Sequence, residues 1–151
     1  MIVLRALEQT RDYVKPFDQR VNGFTTHWWR DRAGAAGSNP NVELVSFVDG
    51  EEEVARAEVH TRTPLYAEYV DLSAPRELVE VVCIEVRANQ RGRGIGTRAV
   101  RLLERRYRDD ALFAFSEGAD DFWAGVGWRH FLRADGDRAY PPLFVNVESR
   151  R

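Results

Sequence analysis

The sequence predicts a mixed α/β domain over residues 1–151, built on a central sheet of about seven strands, mostly antiparallel, flanked by about four helices. Three observations carry this expectation. A chain of 151 residues, 44% hydrophobic and 30% charged, is long enough to close one hydrophobic core without disulfide or metal staples and too short for two large ones. Its early half repeats strand-like apolar segments around a tight turn, which pairs strands antiparallel. Its later half holds a strand–turn–helix–strand succession, the crossover that sets two strands parallel.

Each element has its own signal. Ile2 to Leu7 is a short β-prone segment. Thr10 offers an N-cap to a stretch where Tyr13, Val14, Phe17 and Val21 recur at roughly helical spacing, and Pro16 and Gly23 break it into two helices. The run Ala33 to Asn41, rich in Gly, Ser and Pro, is a loop that ends the helix carrying His27, Trp28 and Trp29. Val42 to Val48, the turn dipeptide Asp49-Gly50 and the apolar set Val54, Ala57 and Val59 form a hairpin. After a polar connection from Thr61 to Pro75, Glu77 to Val86 is apolar on both faces, as in a central strand. Ile95, Ala99, Leu102, Leu103 and Tyr107 recur at helical intervals and leave the arginines between them to solvent. Ala111 to Phe115 is a strand, Ala119 to Val126 a helix stopped by Gly127, and Trp128 to Leu132 with Leu143 to Val147 a closing strand pair.

Composition narrows the partners. Cys83 is the single cysteine, so no intrachain disulfide forms and a reducing compartment, the cytoplasm, is expected. The first ten residues are interrupted by Arg5 and Glu8 and lack the apolar stretch of a signal peptide. No apolar run approaches the roughly 20 residues of a membrane span. The net charge of −2 conceals an uneven distribution. Eight arginines and one glutamate between Arg87 and Arg108 make that segment +7 and leave −9 elsewhere. Such a segment attracts a compact polyphosphate, while the balance excludes an extended nucleic-acid or membrane binder.

The chemistry concentrates in Gln90-Arg91-Gly92-Arg93-Gly94-Ile95-Gly96, between the strongest strand and the clearest helix. There, successive backbone N–H groups and a helix N-terminus converge, the glycines clear the approach, and the helix dipole favours negative charge. A phosphate-bearing ligand is the natural occupant. The P-loop pattern fails, because no Lys-Ser/Thr pair follows the glycines. Gly94, Gly96 and Ala99 satisfy G-x-G-x-x-G/A, with Glu117 about 20 residues on, as in a dinucleotide fold. The antiparallel strand pair that closes the chain speaks against that reading.

The stretch Val86-Arg87-Ala88-Asn89-Gln90-Arg91-Gly92-Arg93-Gly94-Ile95-Gly96 resembles the acyl-CoA-binding motif R/Q-x-x-G-x-G/A of the GNAT N-acetyltransferase superfamily. Phe122-Trp123-Ala124-Gly125-Val126-Gly127-Trp128 resembles that family's later segment, an aromatic pair before a Gly-aromatic step. The element order is similar along the whole chain. The resemblance implies a GNAT-like sheet splayed between its fourth and fifth strands, with acetyl-CoA as co-substrate. Backbone amides of Arg91, Gly92, Arg93, Gly94, Ile95 and Gly96 would hold its pyrophosphate. Its pantetheine arm would run along Ile84, Glu85 and Val86, and an acceptor amine would attack the thioester directly.

That attack needs a neutral amine and hydrogen-bond donors for the developing oxyanion. The resemblance gives the base role to Glu80, at the spacing to Arg91 where the histone-acetylating branch carries its basic glutamate; flanking Val79 and Val81 favour a raised pKa. Glu85, of opposite strand parity, is expected on the other face of the sheet and is the second candidate; Glu58 and His60 follow. Trp123 stands where many relatives carry the tyrosine that protonates the leaving thiolate, and an indole N–H cannot give up its proton. Tyr107 and Tyr140 are the substitutes on offer. An inactive CoA-binding module used as a sensor is therefore the alternative to an enzyme. By resemblance His27, Trp28 and Trp29 would line the acceptor side, though paired tryptophans more often pack in a core, and the histidines show no metal-ligand spacing. The acceptor is a small, peptide, protein or charged-tRNA amine, and a homodimer is expected by resemblance.

Overall fold

The structure, a computed structural model, describes residues 1–8, 17–30, 39–73 and 78–146. Seven strands, β1 (Ile2–Ala6), β2 (Val42–Asp49), β3 (Glu52–Thr63), β4 (Leu78–Val86), β5 (Leu112–Phe115), β6 (Arg129–Phe131) and β7 (Leu143–Val145), form one sheet in the order β1-β2-β3-β4-β5-β7-β6. Among the described residues three α-helical segments accompany them: α1 over residues 26–30, α2 (Ile95–Arg106) and α3 (Asp120–Gly125). The helix expected from Thr10 falls largely outside the described residues. β3 runs to Thr63, three residues into the expected connection, because Thr63 still pairs with Leu78.

The two faces of the sheet carry different cover. On one, α2 buries Ile95, Ala99, Val100 and Leu103 against Val45, Phe47, Ala57, Val59, Val79 and Val81, joined by Trp123 of α3. On the other, Phe17 and Trp29 pack on Val42 and Leu44, while Tyr69 and Leu78 pack with Phe113, Phe131 and Leu143. Every pairing is antiparallel except β4 with β5. One parallel pair does not make a dinucleotide-binding sheet, which needs consecutive parallel βα units.

Two irregularities of β4 set the shape of the site. Its parallel pairing with β5 covers Val79↔Leu112 and Glu80↔Phe113, although β4 continues to Val86 and β5 continues along β7. The sheet therefore splays open beyond Glu80. Along β3, Glu58 faces Cys83 and Val59 faces Val81, so Val82 is an extra, unopposed residue. This bulge inverts the side-chain alternation. Val79 and Val81, then Ile84 and Val86, pack on the α2 side, which leaves Glu80, Cys83 and Glu85 together on the opposite face. The expectation that Glu85 faces away from Glu80 is thereby corrected: strict alternation holds only for an unbroken strand.

Candidate active site

After β4 the chain makes a 3₁₀ turn over Ala88–Gln90 and enters α2. Gly94 is the N-cap residue, in the left-handed region at φ 73°, and Gly92 also has positive φ. No side chain caps the first turn of α2, and that turn holds no acidic residue. Its amides are thus left to an external acceptor, at the positive end of a twelve-residue helix. Gly96 serves a different purpose. A Cβ there would lie 2.8 Å from the Phe122 ring, so this glycine lets α3 close onto the start of α2.

The basic segment divides in the same way. Arg91 and Arg93 flank the turn and are exposed. Arg91 donates through Nε to the Val86 carbonyl at 3.3 Å, and Arg93 reaches Gln90 Oε1 at 3.4 Å. The Arg101 guanidinium donates to Glu104 and the Val126 carbonyl, and that of Arg106 to Glu43. Arg87 donates to the Asn22 backbone and side-chain oxygens, at 2.8 and 3.0 Å, and ties the 22–23 turn to the end of β4. The charge left at the turn is that of Arg91, Arg93, the exposed Arg98 of the first turn of α2 and the helix end, less than the segment total suggests.

The open edge of β4 presents backbone groups. The Arg87 N–H donates to the Val54 carbonyl, so alternation in the antiparallel ladder turns the N–H and C=O of Ile84 and Val86 the other way, into the gap beside β5. An extended polar chain laid in that gap would find strand-like partners.

Glu80 and Glu85 share a face but not an environment. Glu85, 8% exposed, accepts from the Thr25 N–H at 2.9 Å, the Thr25 hydroxyl at 2.6 Å and the Trp29 indole N–H at 2.8 Å. Burial alone would raise its pKa, but these hydrogen bonds and the Arg91 charge bring it below the ordinary value. Glu85 thereby anchors the start of α1. Glu80 receives no hydrogen bond among the described residues; burial pushes its carboxyl up, the Glu58 charge adds to this and His60 opposes it. His60 stands opposite Glu80 on β3, and its Nε2 lies 2.6 Å from Glu58 Oε2.

Glu80 lines a cleft of about 840 Å³ on this face. Its walls come from the 63–69 connection, from Phe113 and Phe115 of β5, and from the β6–β7 connection at Arg133–Asp135 and Tyr140. Backbone hydrogen bonds from Val70 N to Leu132 O and from Ala134 N to Glu68 O, both 2.8 Å, fasten the two connections together. Residues 27–29 do not line this cleft. Trp29 is fully buried and bound to Glu85, so it takes the core reading of the tryptophan pair, while Trp28 is 41% exposed. The lining from the two connections comes from segments far apart in the chain; its one signal in the sequence is the concentration of aromatics beside turn residues.

Of the remaining candidates, one lines the cleft and the others sit elsewhere. Trp123, 4% exposed, is packed in the α2-side core, with its ring centroid 5.0 Å from that of Phe122 and 4.6 Å from that of Trp128. Tyr107 donates its hydroxyl to Glu43 on that side, and burial beside this carboxylate drives its pKa far up. Tyr140 lines the cleft. Cys83 packs against the Trp29 cluster. Among the described residues no group of His, Cys, Asp and Glu could hold a metal ion, and no helix is long and apolar enough to cross a membrane.

A family model described as acetyltransferase (GNAT) family matches residues 7–127. A sequence search of curated proteins gave no match. Among solved structures the chain is similar to AtaT complexed with acetyl-methionyl-tRNAfMet, at 11% identity and TM-score 0.72 over 99% of this chain and 96% of that one. It is also similar to AtaTR bound with AcCoA, at 13% identity and TM-score 0.60 over 96% and 94%. For an acetyltransferase from Thermus thermophilus the values are 16% and 0.61 over 81% and 74%. Those likenesses are of fold. With the family match running from the end of β1 to the end of α3, through the glycine turn, the chain belongs to the acetyltransferase (GNAT) family.

Proposed function

We propose that this protein transfers an acetyl group from acetyl-CoA to a primary amine by direct attack, with Glu80 as general base. One observation carries the reading: a half-buried carboxylate with no hydrogen-bond partner among the described residues lies at the last paired residue before β4 and β5 part. Acetyl-CoA supplies the activated thioester, and a solved neighbour, AtaTR, holds it. In this chain the uncapped first-turn amides of α2, with Arg91 and Arg93, suit its pyrophosphate, and the Ile84 and Val86 backbone groups suit the amides of its arm. Trp123, enclosed in the core, is not assigned a part in binding.

Glu80 takes a proton from the incoming ammonium, because a protonated amine has no lone pair to offer. The amine nitrogen then bonds to the acyl carbon, and inward-facing backbone N–H groups of β4 receive the oxyanion. As the tetrahedral centre collapses, the carbon–sulfur bond breaks and the amide forms. With no tyrosine at position 123, the sulfur leaves as a thiolate, tolerable for a thiol of pKa about 8.5, and water protonates it. Glu85, with its oxygens already bonded, is a positioning residue that seats α1 and meets Arg91 at 3.9 Å. The lone Cys83 fits the reducing cytoplasm.

Measuring thiol release from acetyl-CoA across a panel of amines tests this. Turnover that collapses in Glu80→Gln supports it. Binding of acetyl-CoA without turnover of any amine would replace it with the sensor reading, which the loss of the thiolate-protonating tyrosine favours.

A further inference from the structure

Resting on the acyl-transfer reading, we infer that the acceptor is a primary amine carried on an aromatic body with no anionic group beside it. The cleft over Glu80, about 840 Å³, has the size of sites that enclose a whole small molecule. Its rings are ordered. Phe113 is the cross-strand neighbour of Glu80. Phe115 meets Phe113 edge-on at 5.5 Å between centroids, and Tyr140 meets Phe115 edge-on at 5.2 Å. Phe113 is itself fully buried, so the rings of this series that a ligand can reach are the half-buried Phe115 and Tyr140, 47% exposed. Exposed rings cost hydration unless something flat and apolar covers them.

The charges select in the same direction. Glu80, Glu68 and Asp135 contribute carboxylates to the lining. Arg133, the cation among the lining residues, donates to both oxygens of Asp135, at 3.1 and 2.7 Å, and lies 4.9 Å from the Tyr140 ring centre. It is already satisfied. Asp135 is committed to Arg133 in turn, so an acceptor carboxylate or phosphate would meet Glu80 and Glu68 with no uncommitted cation in the lining to balance them, whereas an ammonium is attracted by these two carboxylates and by the ring faces. A flexible polyamine would satisfy the carboxylates but leave the rings bare and lose rotamer freedom on binding. The chemistry that matches every wall is an amine a short link from a ring. It could come as a free arylalkylamine or as an aminoacyl group whose carboxyl is esterified or amidated.

The test uses the full chain with acetyl-CoA and five amines: phenethylamine, phenylalaninamide, phenylalanine, propylamine and spermidine. Thiol release gives kcat/KM, and calorimetry on the CoA-bound protein gives binding independently of turnover. At least one of phenethylamine and phenylalaninamide is expected about ten-fold or more above the other three, on the scale that one added apolar group commands. Which of the two leads tells a free amine from an aminoacyl source. Tyr140→Ala, a change at the exposed rim, is expected to lower kcat/KM for the better aryl amine about ten-fold more than for propylamine. Equal use of propylamine, spermidine or phenylalanine overturns the inference, as does a Tyr140→Ala loss shared by all amines. Aryl-selective binding without thiol release keeps this inference and overturns acyl transfer; thiol release without aryl preference does the reverse.

Discussion

Glu85 gives its carboxylate to Thr25 and Trp29, while Glu80, five residues earlier on the same strand and the same face, gives its own to no side chain and looks into the cleft. The difference lies in what covers each half of β4. Over the C-terminal half, α1 lays an indole and a helix start against the sheet, and Glu85 is used up as their acceptor. Over the N-terminal half the cover is two loops fastened to each other by backbone bonds, and a space remains beneath them. The two carboxyls thus come out with pKa shifts of opposite sign, because hydrogen bonds outweigh burial at Glu85, while at Glu80 burial, helped by the Glu58 charge, outweighs the opposing His60.

The largest effect should come from Glu80. Removing a general base typically costs about 10²- to 10⁴-fold in rate, so Glu80→Gln is expected to lose that much kcat while its melting temperature and acetyl-CoA affinity hold. A melting temperature that falls with the activity would merge the two glutamates into one structural role. Glu85→Ala should behave in the opposite way. It strands the buried Trp29 indole N–H and the Thr25 donors, at about 3 kcal/mol, or roughly 6–12 °C in melting temperature for a chain of this size. Unchanged melting would remove the contrast from the other side.

Smaller changes sharpen it. Gly96→Ala forces a Cβ onto the Phe122 ring, an overpacking of about 1–3 kcal/mol, and should weaken acetyl-CoA binding by shifting the start of α2; a calorimetric titration reads both enthalpy and affinity. The pH dependence of stability carries a sign. Glu85, with a lowered folded pKa, stabilises above the ordinary carboxylate value of 4.5 and loses that contribution as the pH falls through its folded pKa. The melting gap between the native protein and Glu85→Ala should therefore narrow in acid. Glu80, with a raised folded pKa, contributes below 4.5 and loses that as the pH rises, so Glu80→Gln at neutral pH should melt no lower than the native protein. Arg91→Ala, at an exposed position, should weaken acetyl-CoA by about three-fold, and less at high salt.

What was legible in the sequence was local. The hairpin at Asp49-Gly50, the apolar stripe of α2 and the glycine turn between β4 and α2 are written in residues a few positions apart, and the structure places them as expected. The side of Glu85 was not legible, because one extra residue at Val82 inverts the strand alternation and no spacing rule announces a bulge. Nor were its partners, which lie 56 and 60 residues away. Trp29 belongs to an aromatic pair that suits a core or a pocket wall on paper; the carboxylate beneath it decides for the core. The cleft over Glu80 depends on bonds between the 64–73 connection and the chain around Leu132–Ala134, and such tertiary pairing between loops leaves only a faint trace in composition.

The most direct test of the central claim is the pH profile of kcat at saturating acetyl-CoA and acceptor, from about pH 5 to 9, for the native protein and Glu80→Gln. The native kcat should fall on the acid side along a limb lying above the ordinary carboxylate range, as a half-buried base protonates. Glu80→Gln should be slower by about a hundred-fold or more and lack that limb. A variant within a few-fold of the native rate, with the limb unchanged, would contradict the account.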